Sequence, residues 1–116
     1  MAKILVVDDE DAIVDLLAEV VSDAGHTALT ATNGFDALAL AQSHRPSLII
    51  SDVMMPVMDG YALVEALQSD PALANTMVVL MSAGFKPNQV HLGSTMAFVP
   101  KPLDLSLIEH LLPRLP

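Results

Sequence analysis

Residues 3–11 read KILVVDDED. Four apolar residues, Ile4 to Val7, run without a break into four carboxylates. A short apolar run rich in branched side chains is the pattern of a strand buried on both faces, as in a parallel sheet covered by helices. Acids crowded at the end of such a strand repel one another, so their placement has a cause other than stability. SLIISD at 47–52 repeats the arrangement and ends at Asp52.

Working outward, the hydrophobic period alternates between that of a strand and that of a helix. From Asp11 the pattern turns helical: Ile13, Leu16, Leu17, Val20 and Val21 form one stripe, and Gly25 stops it. Residues 27–30 make a weak strand, Asn33-Gly34 a turn, and 35–43 an Ala/Leu-rich helix ending before Pro46. Leu48–Ile50 is a second strongly buried strand. The loop MMPVMDG follows, then a helix from about Tyr61 to Gln68, bounded by Pro71. Met77–Met81 is a buried strand ending in Ser82, residues 83–95 are ambiguous, and Met96–Val99 is a short strand. Asp104 is a suitable N-cap for a last helix carrying Leu107, Ile108, Leu111 and Leu112, which Pro113 ends.

Five β-α units of this kind predict an α/β fold: a doubly wound parallel sheet with right-handed crossovers and helices on both faces. In such sheets, sites form at the carboxyl ends of the strands. Asp8, Asp9, Asp52, Ser82 and Lys101 all fall just past a predicted strand, so one sheet edge collects the unusual polar residues.

Composition narrows the function classes. A chain of 116 residues is expected to form one domain over 1–116. It is 53% hydrophobic with 3% aromatic residues, so its core is built from Val, Leu, Ile, Ala and Met. No apolar run approaches the ~18 residues needed to cross a bilayer, and MAKILVV meets DDED too soon to act as a leader. The absence of Cys excludes disulfides and thiolate metal sites and suits a cytoplasmic protein. A net charge of −9 argues against direct contact with nucleic acid, which requires a basic surface. Seven of the fourteen acids lie in residues 8–23, a clustering that taken alone describes a solvated face.

Three converging carboxylates do not all stay ionised without a partner; one protonates or a cation binds. Oxygen ligands without Cys or His select a hard divalent ion such as Mg²⁺. An Asp beside that ion can attack phosphorus and become an aspartyl phosphate. The phosphoryl oxygens then need neutralising charge, which the metal and Lys101, one of three Lys in the chain, can supply. Ser82 offers a hydroxyl to a phosphoryl oxygen. Each residue also has an ordinary role: Asp8 and Asp9 as helix caps, Asp52 as a turn former, Ser82 and Lys101 as surface residues. Those roles do not explain why all lie at the same end of their strands.

The chain resembles the receiver domain of two-component response regulators from end to end. KILVVDDED, ATNGFDALALA, RPSLIISDVMMPVMDG, DPALANTMVVLMSA and FVPKPLD carry the likeness. The combination of DD, D-x-x-x-P-x-x-D-G, S-A and K-P is highly specific. The resemblance implies a five-stranded flavodoxin-like sheet of order 2-1-3-4-5. It also implies a cytoplasmic phosphoacceptor supplied by a sensor histidine kinase or a histidine phosphotransfer protein, which signals to a downstream protein by changing conformation. Asp52 would be the phosphoacceptor. Asp9 and Asp52, with the backbone carbonyl of Met54, would hold Mg²⁺ or Mn²⁺, and Asp8 would act mostly through water. Lys101 would pair with the phosphoryl group, and Ser82 and Phe98 would be the switch residues. The Lys101–Pro102 peptide would be cis. Such a module catalyses only its own phosphorylation and dephosphorylation.

Some features depart from the family pattern. The stretch between Ser82 and Lys101 is short, and Pro87 and Gly93 bracket only residues 88–92, so the fourth helix is expected to be stunted or irregular. Phe98 has no hydroxyl and would switch by packing alone. Met54 and Gly84 stand where the family tunes phosphoryl lifetime, and neither can position a water through a polar side chain; unusually rapid hydrolysis is not expected. His26, His44, His91 and His110 show no metal spacing. Met54, Met55 and Met58 read as core filling, with a partner-facing patch as the alternative. The chain is expected to act alone, with no output domain after Pro116. Two other functions compete: a pseudo-receiver that binds a partner without phosphorylation, and a haloacid-dehalogenase-like phosphatase. Pseudo-receivers usually lose an acid or the Lys, which this chain keeps. The phosphatases carry a second acid two residues after the nucleophile, where Met54 stands.

Overall fold

Strands rich in Val, Ile and Leu alternate in this chain with Ala/Leu helices, and they assemble as that pattern demands. The computed structural model describes residues 2–55, 57–82 and 96–100. Its elements in chain order are β1 (Lys3–Val7), α1 (Asp11–Asp23), β2 (Thr27–Ala31), α2 (Gly34–His44), β3 (Leu48–Asp52), α3 (Gly60–Gln68), β4 (Met77–Ser82) and β5 (Met96–Pro100). The five strands form one parallel sheet of order β2-β1-β3-β4-β5, the expected order. The expected fourth helix and the last helix at 104–112 lie outside the described residues.

Alternation along each strand divides the core into two layers. Ile4 and Val6 of β1, Leu48 and Ile50 of β3, and Val79 and Met81 of β4 pack with Leu17 and Val21 of α1. Leu5 and Val7, Ile49, Val78 and Leu80 point the other way, against Ala37 and Ala41 of α2 and Leu63, Val64 and Leu67 of α3. Every residue of β3 is buried, as is β1 from Ile4 onward, which is why both read as unbroken apolar runs.

Helix ends are set locally. Asn33 caps α2: its Oδ1 accepts the Asp36 amide hydrogen at 2.8 Å, and its Nδ2 donates to Asp36 Oδ2 at 3.0 Å. Asp59 caps α3 by accepting the Ala62 amide at 2.8 Å. Gly25, at φ 87°, turns the chain out of α1.

Two sequence readings need correction. Asn33-Gly34 is not a turn between elements, because Asn33 is the cap and Gly34 the first residue of α2. The buried stripe of α1 is centred on Val14, Leu17 and Val21, whereas Leu16 is 39% exposed and Ile13 and Val20 are half-buried. Six large apolar residues crowd two adjoining faces of that helix, and only the sheet beneath decides which one is covered.

Candidate functional site: an acidic cluster at the strand ends

The chain order of the sheet reverses between β1 and β3, which are neighbours although α1, β2 and α2 intervene. Such a reversal opens a crevice at the carboxyl edge of the sheet. The register pairs Val6 with Ile50 and Val7 with Ser51. Continuing one step, it sets Asp8 beside Asp52, both on the α1 side of the sheet. Asp9 follows in the same loop. Carboxylate oxygens of Asp8, Asp9 and Asp52 lie within 4.8 Å of one another. The sequence-predicted acids therefore do come together.

Their surroundings differ. Asp8 is fully buried and Asp52 is 3% exposed, whereas Asp9 faces solvent. Asp8 Oδ1 accepts the Glu10 amide hydrogen at 2.9 Å, and its own amide donates to the Ala31 carbonyl at 3.2 Å. Asp52 Oδ1 accepts the Met54 amide hydrogen at 3.3 Å. Buried Ser51 donates its hydroxyl to the Asp52 carbonyl at 3.0 Å. Beneath that carbonyl, Gly60 leaves the space it occupies: a Cβ there would come to 2.6 Å from the Asp52 oxygen. The Gly60 amide also bonds the Val53 carbonyl at 2.8 Å, closing the loop from β3 to α3.

Ionised carboxylates this close repel one another, most strongly where they are shielded from water. The donor set is all oxygen, anionic and partly dehydrated, which fits a hard divalent ion and does not fit a soft one.

The other expected site residues stand as follows. Ser82 ends β4, one step beyond Met81, which pairs with Asp52. Phe98 is the central residue of β5 and pairs with Leu80. Pro100 pairs with Ser82, and Lys101 comes next in sequence. Lys101 and Pro102 lie outside the described residues. Of the three loop methionines, Met54 is 73% exposed, Met55 is buried in the core, and Met58 packs partly buried against it. Sequence reasoning passes over Gly34, Phe35 and Val57, which border the site. Gly34 and Phe35 read only as turn and helix start, and no local signal sets the backbone of Val57.

The chain matches the family model described as "Response regulator receiver domain" over residues 4–112. It is 38% identical over 107 residues to the response regulator PleD of Caulobacter vibrioides, covering 89% of this chain and 23% of that protein. It is 27% identical over 106 residues to the polar-differentiation response regulator DivK of Brucella anthropi, covering 89% and 86% respectively. The fold superposes on the chemotaxis protein CheY4 of Vibrio cholerae with a TM-score of 0.89 at 33% identity, covering 100% of this chain and 99% of the other. The chain thus spans less than a quarter of PleD and most of DivK and CheY4. The fold agrees with these likenesses, and the chain belongs to the response regulator receiver domain family.

Proposed function

We propose that this domain accepts a phosphoryl group on Asp52 from a phosphohistidine of a sensor kinase or phosphotransfer protein. The observation that carries the reading is the meeting of Asp52 with Asp8 and Asp9 at the sheet reversal, within 4.8 Å. A carboxylate oxygen of Asp52 attacks phosphorus, the phosphorus–nitrogen bond breaks, and the histidine leaves with its electron pair. Hydrogen bonding of Asp52 Oδ1 to the Met54 amide fixes the rotamer, which keeps one carboxylate in place for an in-line approach. Asp9 and Asp52, with the Met54 carbonyl and with Asp8 through water, would hold Mg²⁺ or Mn²⁺. When bound, that ion supplies positive charge to the acids and to the phosphoryl oxygens. Lys101 and Ser82 would serve the same oxygens, and Ser82 and Phe98 would carry the change onward to a downstream protein.

Incubation with Mg²⁺ and a small acyl phosphate, followed by intact mass measurement, tests this. One phosphoryl adduct that disappears in Asp52→Asn is the expected result. No adduct from any donor points instead to a phosphorylation-independent interaction module. Rapid turnover of diverse phosphate esters points to a phosphatase.

A further inference from the structure

Two unfavourable features meet at Val57. Its φ is 70°, in the left-handed region, and its side chain is 89% exposed. That backbone strains a β-branched residue, and Asn or Gly adopts it more readily. Exposure of the isopropyl group also means that no burial compensates the strain. Phe35, in the first turn of α2, is 56% exposed. Both side chains line one hollow of about 630 Å³, whose other walls are Asp9, Asp11, Thr32, Asn33 and Asp36.

This hollow is preformed. Asn33 and Asp36 hold each other by reciprocal hydrogen bonds. Gly34 lets the backbone of Met58 come closer than any Cβ would permit, which locks the Phe35 wall to the Val57 wall. Three carboxylates line it, and among the described residues no Lys or Arg does. The two such side chains in those residues belong to the opposite sheet edge: Lys3 starts β1, and Arg45 lies ahead of β3 in a separate hollow with Pro46 and Ser47. A bare metal ion would use the acids but neither Phe35 nor Val57. A second copy of this chain, at net charge −9, would be repelled. Two exposed apolar side chains set among three carboxylates are the complement of a protein segment whose apolar side chain is flanked by Lys or Arg.

We propose that this hollow docks such a cationic, amphipathic segment of a partner protein, seating its apolar side chain between Phe35 and Val57 and its cations on Asp11 and Asp36. The partner then stands at the mouth of the acid cluster on the α2 side. Docking requires no phosphoryl transfer, so its failure would leave the reading of Asp52 untouched.

The test is an amide-resolved NMR titration with three synthetic helical peptides. One carries a Leu flanked by Lys residues, the second has Ser for that Leu, and the third has Glu for the Lys residues. The first alone is expected to shift the amides of Asp11, Thr32, Phe35 and Val57. Val57→Asn and Phe35→Ser are each expected to raise its Kd about tenfold, the size of effect that losing one buried apolar contact produces. Met77→Ser, an exposed apolar residue at the opposite edge, should bind the peptide as the parent does. Equal shifts from the Ser or Glu peptide, shifts centred elsewhere, or an unchanged Kd in Val57→Asn would overturn the proposal.

Discussion

A Cβ on Gly34 would stand 2.6 Å from the carbonyl oxygen of Met58 and 2.6 Å from its Cγ. The first turn of α2 is therefore pressed onto the loop that follows Asp52, and only glycine allows that approach. Gly34→Ala should cost about 1–3 kcal/mol, the range for overpacking, and should also weaken Mg²⁺ binding by displacing the loop. Gly25 provides the comparison, because it has φ 87° and a methyl group there would meet no atom within 4 Å. Gly25→Ala should cost about 1 kcal/mol through its backbone alone and leave Mg²⁺ affinity unchanged. Urea unfolding and Mg²⁺ titration of both variants measure the contrast.

Repulsion within the cluster should set the response to metal. At Mg²⁺ tenfold above its Kd, stabilisation should reach about 1.4 kcal/mol, a rise in Tm of roughly 6 °C. Asp9 is the solvent-facing member of the cluster. Asp9→Asn should raise Tm in metal-free buffer and flatten its response to Mg²⁺. A variant that loses stability without metal and still responds fully would contradict both the repulsion and the ligand role.

The helices flanking the site start differently. Asn33 caps α2 through its side chain, whereas Glu10 at the start of α1 makes no such bond. Asn33→Ala should therefore cost about 1 kcal/mol, and Glu10→Ser should gain about 0.5 kcal/mol. Chemical denaturation resolves the opposite signs. If Glu10→Ser and Glu10→Ala behaved alike, the uncapped helix start would not be the cause.

Relief of backbone strain makes a separate prediction for Val57. Val57→Asn should stabilise the domain by about 1 kcal/mol, since Asn tolerates the left-handed region and the exposed side chain gives up no packing. A thermal melt in the absence of any partner checks this. Loss of stability in this variant would mean that the isopropyl group packs in solution.

Much of the architecture is legible because strands buried on both faces leave an uninterrupted apolar signature. Ile4–Val7 and Leu48–Ile50 show it most clearly, and they are the strands that deliver Asp8 and Asp52. The rest depends on contacts between distant segments. Asn-Gly is a turn dipeptide in isolation, and it becomes a helix start here because Gly34 has to fit against Met58. The buried face of α1 is offset by about one position from the apolar stripe, since Val14 and Leu16 are both apolar and only the sheet distinguishes them. Val57 is illegible for a similar reason. Its φ is set by closing a short loop between β3 and α3, and nothing in the residue itself announces it.

The alignment of β1 with β3 has a consequence during folding. Because Val6 lies beside Ile50, both acids emerge on the same side two residues later. A slip of one residue would move Asp52 about 3.3 Å along the strand and turn it into the opposite helix layer. A misaligned sheet would then offer a cation no coherent set of ligands. An ion that bound only the aligned form would draw chains toward it during refolding, and so would act as a proofreader of strand pairing.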